Sequence, residues 1–211
     1  MKRIGIFGTS GHAREVGDIA VELGYLPIYV ARDQTERDAW AFPDDVILES
    51  EGDRHGDIDF TIGIGDGATR QKIAQRFANS LRFVTLIHPS ASFGQRQRRA
   101  IEECQGAVVC AGVRFTNNTR VGHFTLFNLN ATISHDVIVE DFVTVAPGAC
   151  ISGNVHLGNG CWIGTSAAIN QGSNTRKLQV GANTVIGSGS VVVKDCEPDA
   201  VYVGIPARRI K

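Results

Sequence analysis

The sequence predicts two joined units: a small parallel α/β unit over residues 1–85 and a parallel β-helix of hexapeptide repeats over residues 86–211. Three observations carry this expectation. Short apolar runs alternate with amphipathic helical stretches up to about residue 85. From Val109 an apolar residue then returns every sixth position, through Phe115, Val121, Phe127, Ile133, Val139, Val145, Ile151, Leu157, Ile163 and Ile169. The step resumes at Val180, Ile186 and Val192, and the fifth residue of each hexad is small throughout.

Within the first unit, Ile4-Gly-Ile-Phe7 reads as a buried strand and Gly8-Thr-Ser-Gly11-His12 as a turn. A helix follows over residues 12–24, ending at Gly24. Ile28–Val30 is a second strand, Arg32–Asp45 a polar stretch and Ile58–Ile64 a further strand. The turn Gly65-Asp-Gly67 leads into a helix over residues 68–79, and Phe83–Ile87 closes the series. Residues 94–106 break the hexad phase and read as an irregular first coil with an exposed basic patch.

A six-residue repeat has a definite physical meaning. Each hexad supplies a short strand and a turn, and three hexads complete one triangular circuit. Large aliphatic side chains point inward and stack on those of the next coil, while small fifth residues fit the corners. The fifth positions run Val113, Thr119, Thr125, Ala131, Val137, Val143, Ala149, Val155, Cys161, Ala167 and Ser173, then Thr184, Ser190 and Cys196. Five extra residues, Thr175–Gln179, separate the two runs and are expected to loop out as a cationic, exposed segment.

Composition narrows the function classes. A formal net charge of -1 gives no general attraction to nucleic acid or acidic membranes. No apolar stretch has the length of a membrane span, and the N-terminal apolar run is too short for a secretory signal. The five cysteines form no CxxC pair, which predicts reduced thiols, no metal site and a cytoplasmic protein.

The hexad array resembles the left-handed parallel β-helix of the hexapeptide acyltransferases. More narrowly, Gly8-Thr-Ser-Gly-His12, Ile87-His-Pro-Ser-Ala91, Ser134-His-Asp136, Val145-Ala-Pro-Gly-Ala149 and Val203-Gly-Ile-Pro-Ala207 resemble the sugar O- and N-acetyltransferases of sialic acid and bacillosamine-type biosynthesis. That resemblance implies a Rossmann-like N-terminal domain that binds the sugar nucleotide and a coil that binds acetyl-CoA. It also implies a homotrimer with active sites at the subunit interfaces.

Acetyl transfer needs a base to free a lone pair on the acceptor, and histidine titrates in the useful range. His135 precedes Asp136 at a hexad turn and faces outward; the resemblance gives it the family's catalytic-base position, with Asp136 raising its basicity. Gly153 falls at the family position of an oxyanion-stabilising amide, and Asn128 at a polar position near the substrate. The coenzyme positions fall at Thr144, Thr165 and Ser188, with relatives able to carry histidine at the first. Arg176, Lys177, Arg208 and Arg209 are cations that either face coenzyme phosphates or are simply solvated.

Ser10, Gly11 and His12 sit at a strand-to-helix turn suited to phosphate. Gly65 matches a second contact for the sugar nucleotide. Asp33 matches one member of the family's acidic pair, while Arg32 replaces the other. The resulting expectation is N-acetylation of a nucleotide-linked 4-amino-deoxy sugar, with O-acetylation of sialic acid or a related sugar as the alternative. A zinc hydratase on the same coil needs three converging histidines, and the spacing of His123, His135 and His156 converges poorly. A non-catalytic binding protein is the other rival, against which the His135–Asp136 pair stands.

Overall fold

The protein is seen in a computed structural model that describes residues 1–211, apart from the side chain of Asp53. The first unit runs β1 (Lys2–Phe7), α1 (Gly11–Glu22), β2 (Tyr25–Ala31), α2 (Gln34–Asp38), β3 (Val46–Leu48), β4 (Asp59–Ile62), α3 (Gly67–Arg76) and β5 (Arg82–Phe83). Its sheet is parallel throughout, in the order β3-β2-β1-β4-β5. Strand order reverses beside β1, so a crevice opens at the carboxyl ends of β1, β2 and β4. The helix predicted to end at Gly24 ends at Glu22, with Gly24 at φ +80° just beyond. The polar stretch 32–45 contains the short α2, and β3, which follows it, has no fully buried residue to signal a strand. The single closing strand expected over Phe83–Ile87 is two: Arg82–Phe83 joins this sheet, and Leu86–Ile87 is the first strand of the β-helix.

From Leu86 the chain winds through three faces of eight, six and four strands, here called faces one, two and three, parallel except where the terminal Arg208–Arg209 pairs antiparallel with Val201–Val203. The chain passes from one to two to three and back. Regular coils pair residues 18 apart, as in Leu126 with Thr144, Thr132 with Cys150, and Ile138 with His156. Inward residues at the first hexad position are buried, Val121 being the half-buried exception. Cys161 and Cys196 are core residues at corners, and burial pushes the Cys196 thiol up to about 11.

Two insertions lengthen the 18-residue circuit, and the last coil is two residues shorter than it, pairing Val185 with Val201. Leu86 pairs with Val108, 22 residues on. Segment 94–106 is not a coil: it holds helix α4 (Gln97–Glu102), which stands in for the first strand of face three. Ile101 of α4 is fully buried, and the Gln97 amide both donates to the Thr119 carbonyl (2.6 Å) and accepts from the Thr119 N–H (2.9 Å). The end of that face is thereby capped. The second departure pairs Val155 with Leu178, 23 residues on. The fifth-position residue there is therefore Leu178, 7% exposed, and not Ser173, which is exposed. The inserted residues are 173–177 rather than 175–179, because burying Leu178 outweighs matching a small residue at the corner.

The α/β unit covers the upper part of face one. Phe124 and Phe142 hold left-handed backbone conformations at the corner joining faces three and one (φ 53° and 59°), a costly arrangement for bulky residues. Their rings stack at 5.4 Å, and Phe124 meets Phe83 edge-on at 5.4 Å. Arg70 of α3, only 2% exposed, donates to the carbonyls of Ile64, Gly65, Phe124, Phe142 and Val143 and to the Thr144 hydroxyl. Burial pulls its pKa down to about 10, so it remains a cation at neutral pH. Replacing Arg70 with Met strands these buried acceptors, and urea unfolding is expected to show a loss of about 3–5 kcal/mol, with the α/β unit released first.

Candidate active site

The corner between faces two and three carries the strongest chemical constellation. His135 is 56% exposed on its side chain, and its Nδ1 lies 2.8 Å from Asp136 Oδ2. Asp136 holds a left-handed conformation (φ 60°), stacked between Asn118 (φ 54°) and Asn154 (φ 57°) of the neighbouring coils. Its other carboxylate oxygen accepts from Asn118 Nδ2 at 2.5 Å. The Asn118 amide first, then His135, hold the Asp136 carboxyl below its ordinary value of 3.8, so it is ionised at neutral pH. An ionised carboxylate accepts from Nδ1–H, which leaves the lone pair of the neutral imidazole on Nε2.

Gly153 lies directly under this ring. A Cβ built there falls 2.5 Å from His135 Cε1 and 2.6 Å from Nε2. Its backbone is outside the left-handed region, so it is the imidazole, and not φ, that demands glycine. The Gly153 N–H has no partner among the described residues, a trait shared by most third-position amides of the coil. What singles it out is the imidazole above it.

The coenzyme positions divide. Thr165 and Ser188 are exposed and stack in consecutive coils at the corner between faces one and two, where the Gly189 N–H donates to the Thr165 carbonyl at 2.8 Å. Asn128 shares that corner, its Oδ1 accepting from the Leu129 N–H at 2.7 Å. Thr144 is different. It is 2% exposed, donates to the Gly65 carbonyl (2.8 Å) and accepts from Arg70 (2.9 Å), so it belongs to the domain joint and is closed to a coenzyme. Gly65 likewise serves the joint through its carbonyl, and it faces the Trp162 ring.

A cleft of about 460 Å³ opens at the carboxyl ends of β1, β2 and β4. Gly8, Thr9 and Ser10 form one lip, Arg32 and Glu36 another, and Thr69, Lys72, Ile73 and Arg76 of α3 the far wall. Ser10 is the N-cap of α1 but makes no side-chain cap, which leaves the first amides of the helix, from Gly11 and His12 on, available to an anion. His12 does not line the cleft; its Nδ1 meets Glu15 at 2.9 Å, and its buried Nε2 has no partner. Asp33 does not line it either. Its carboxylate caps α2 through the Glu36 N–H (3.0 Å) and accepts from Arg32 Nε (3.1 Å). The cations of the far wall went unread in the sequence, although Thr69, Lys72, Ile73 and Arg76 share one helical face. Glu49 was missed too; burial pushes its carboxyl up, and Arg76 at 2.8 Å offsets part of this. Among the described residues no three His, Cys, Asp or Glu side chains group as a metal site, and no helix is long and apolar enough to cross a membrane.

Residues 3–77 match the family model described as the PglD N-terminal domain. The acetyltransferase domain of PglB from Neisseria gonorrhoeae, solved with acetyl coenzyme A, superposes with a TM-score of 0.85 at 25% identity over 99% of both chains. GDP-perosamine N-acetyltransferase of Escherichia coli O157:H7 is 27% identical over 72% of this chain and 67% of its own length. Together these likenesses support a sugar acetyltransferase of the hexapeptide-repeat superfamily. Its coil has the left-handed winding of that superfamily, an exception to the usual right-handed crossover preference. WeeI from Acinetobacter baumannii shares the fold of this acetyltransferase, with a TM-score of 0.85 at 24% identity.

Within one copy of this acetyltransferase, then, the His135 corner stands apart from the Thr165–Ser188 corner by the full width of face two, while the cleft is lined by the α/β unit alone, which joins the coil at the corner of faces three and one. The Gly153→Ala variant tests the geometry at His135: its Cβ must displace the imidazole. The expected result is loss of the His135–Asp136 hydrogen bond in ¹⁵N-histidine NMR, with the melting temperature nearly unchanged.

Proposed function

We propose that this acetyltransferase moves the acetyl group of acetyl-CoA onto the amino group of a nucleotide-linked 4-amino-deoxy sugar, with His135 as general base. The observation that carries the reading is the imidazole pinned by Asp136 through Nδ1 with its Nε2 open above Gly153. The names of the relatives set the reaction class: the Neisseria domain binds acetyl coenzyme A, and the E. coli relative is named for N-acetylation of GDP-perosamine.

In this reading the sugar nucleotide enters the cleft at Ser10 and the α1 N-terminus, with Arg32, Lys72 and Arg76 balancing the charge of its diphosphate. Acetyl-CoA lies along the corner of Thr165 and Ser188, and Asn128 orients the acceptor. The amine nitrogen attacks the thioester carbonyl carbon while Nε2 of His135 takes one of its protons. The Gly153 N–H supports the tetrahedral oxyanion. When that collapses, the C–S bond breaks, and the departing thiolate of CoA takes the proton back from His135, so no acyl-enzyme forms. Because the base and the cleft stand on different corners, the working site joins His135 of one copy to the cleft of the next in a threefold assembly. Dependence on acetyl-CoA agrees with a cytoplasmic enzyme.

Thiol release from acetyl-CoA, followed against UDP-, GDP- and dTDP-linked 4-amino sugars and free sialic acid, tests this directly. One amino sugar is expected to turn over, and His135→Ala to lower kcat about 10²–10⁴-fold with little change in the KM for acetyl-CoA. Turnover of sialic acid alone would replace the N-acetyl reading with the O-acetyl one.

A further inference from the structure

The coil is regular through Gly172, whose N–H still bonds the Gly153 carbonyl at 3.0 Å as the repeat requires. The next five residues leave the coil, and the chain re-enters at Leu178, whose N–H bonds the Asn154 carbonyl at 3.0 Å. Lys177 thus occupies the end of an insertion beside the column of Asn118, Asp136 and Asn154. Its ammonium donates to the backbone carbonyl of Asp136. We propose that the insertion exists to deliver Lys177 to this carbonyl, and that Lys177 is a positioning residue for His135. The proposal rests on the reading of His135 as the base.

Two sets of contacts support it. The first is that Asp136 becomes fully partnered. Its N–H bonds the Asn117 carbonyl (3.1 Å), one carboxylate oxygen takes Asn118, the other faces His135 Nδ1, and the carbonyl takes Lys177. A residue held in the left-handed region, and exposed on one side, needs such anchoring to keep one orientation. With every polar group engaged, the carboxylate cannot swing away from Nδ1, and the imidazole keeps the tautomer that leaves Nε2 free. The ammonium also adds to the forces that keep Asp136 ionised.

The second is that the insertion is braced as a rigid arm. Ser173 and Arg176 bond one another through the Ser173 N–H to the Arg176 carbonyl (2.8 Å) and the Arg176 N–H to Ser173 Oγ (3.0 Å). The Arg176 guanidinium pairs with Asp195, whose other oxygen accepts from the Gln179 N–H at 3.1 Å. Gln179 Nε2 donates to the Lys177 carbonyl (3.2 Å), which turns Gln179 Oε1 toward His156 Nδ1 at 2.8 Å; His156 Nε2 in turn faces Glu140 at 2.8 Å. Gly172 permits the closure, since a Cβ there would fall 2.6 Å from the Leu178 nitrogen. Arg176 and Lys177 are therefore committed to the protein itself, which argues against both as phosphate ligands.

The test compares Lys177→Met with Lys177→Arg in the full-length protein. Lys177→Met is expected to lose about ten- to a hundredfold in kcat while both KM values stay within about twofold, because the base is misplaced and not the substrates. Lys177→Arg, which keeps a donor, is expected to recover most of the rate. A rise in the KM for acetyl-CoA at unchanged kcat would overturn the proposal in favour of a coenzyme contact, and so would an unchanged kcat. A readout free of turnover separates this proposal from the broader one. In ¹⁵N-histidine NMR of the resting protein, the His135 Nδ1–H tautomer should be lost in Lys177→Met and kept in Lys177→Arg. If no acceptor is turned over by the wild type, the assigned reaction falls, and this measurement still decides the role of Lys177.

Discussion

The strand pairing of the regular coils joins residues one 18-residue circuit apart, and the rest of the molecule depends on that register. It stacks like on like. Inward positions stack as a continuous apolar column, and fourth positions stack as columns of left-handed residues such as Asn118, Asp136 and Asn154. A corner is the one place where consecutive coils present turn side chains and free amides at a spacing fixed by strand pairing. Chemistry on this fold therefore sits at corners, and the faces between them serve for packing. The same register makes any departure conspicuous, and the two insertions here do separate jobs. The four extra residues near the start admit the capping helix α4, and the five at residues 173–177 reach the His135 turn.

A second constraint fixes the two units against each other. Phe124 and Phe142 sit in a backbone region that bulky residues avoid, yet this puts their stacked rings against Phe83 and turns their carbonyls toward Arg70. A planar guanidinium with five donors is the side chain suited to gather so many oxygens at one buried point. No carboxylate shares the site; Asp66 acts on Arg70 only through the longer-range field. The joint thereby orients the cleft relative to face one without closing it.

How much of this was legible depended on whether a residue's role followed from the repeat. Inward Val, Ile, Leu and Phe declared themselves by period; the hexad put the His135–Asp136 turn on the outside of a corner, and only the resemblance gave it a role. Leu178 did not, because Ser173 satisfied the small-residue rule equally well until burial decided between them. Thr144 was matched to a coenzyme position that the domain joint claims instead, and that joint, which also takes the Gly65 carbonyl, involves pairs more than seventy residues apart, which no local pattern reveals. Arg70 looked like any surface cation of an amphipathic helix. Asp33 was matched as a ligand for the nucleotide, and its carboxylate caps α2. Helix α4 was hidden because its register comes from Thr119, twenty-two residues beyond Gln97.

The central claim is that one copy carries an incomplete site, with the base on one corner, the coenzyme positions across face two and the cleft on the α/β unit. Co-expression of His135→Ala with a cleft-blocking variant, Ser10→Trp, tests it most directly. Each variant alone should be inactive. If His135 of one copy serves the cleft of its neighbour, random mixing in a trimer restores about a quarter of the wild-type rate per site, since that fraction of sites draws an intact base and an intact cleft from different copies. A mixture as inactive as its two parents would mean that base and cleft act within a single chain, and would contradict the assembly proposed here.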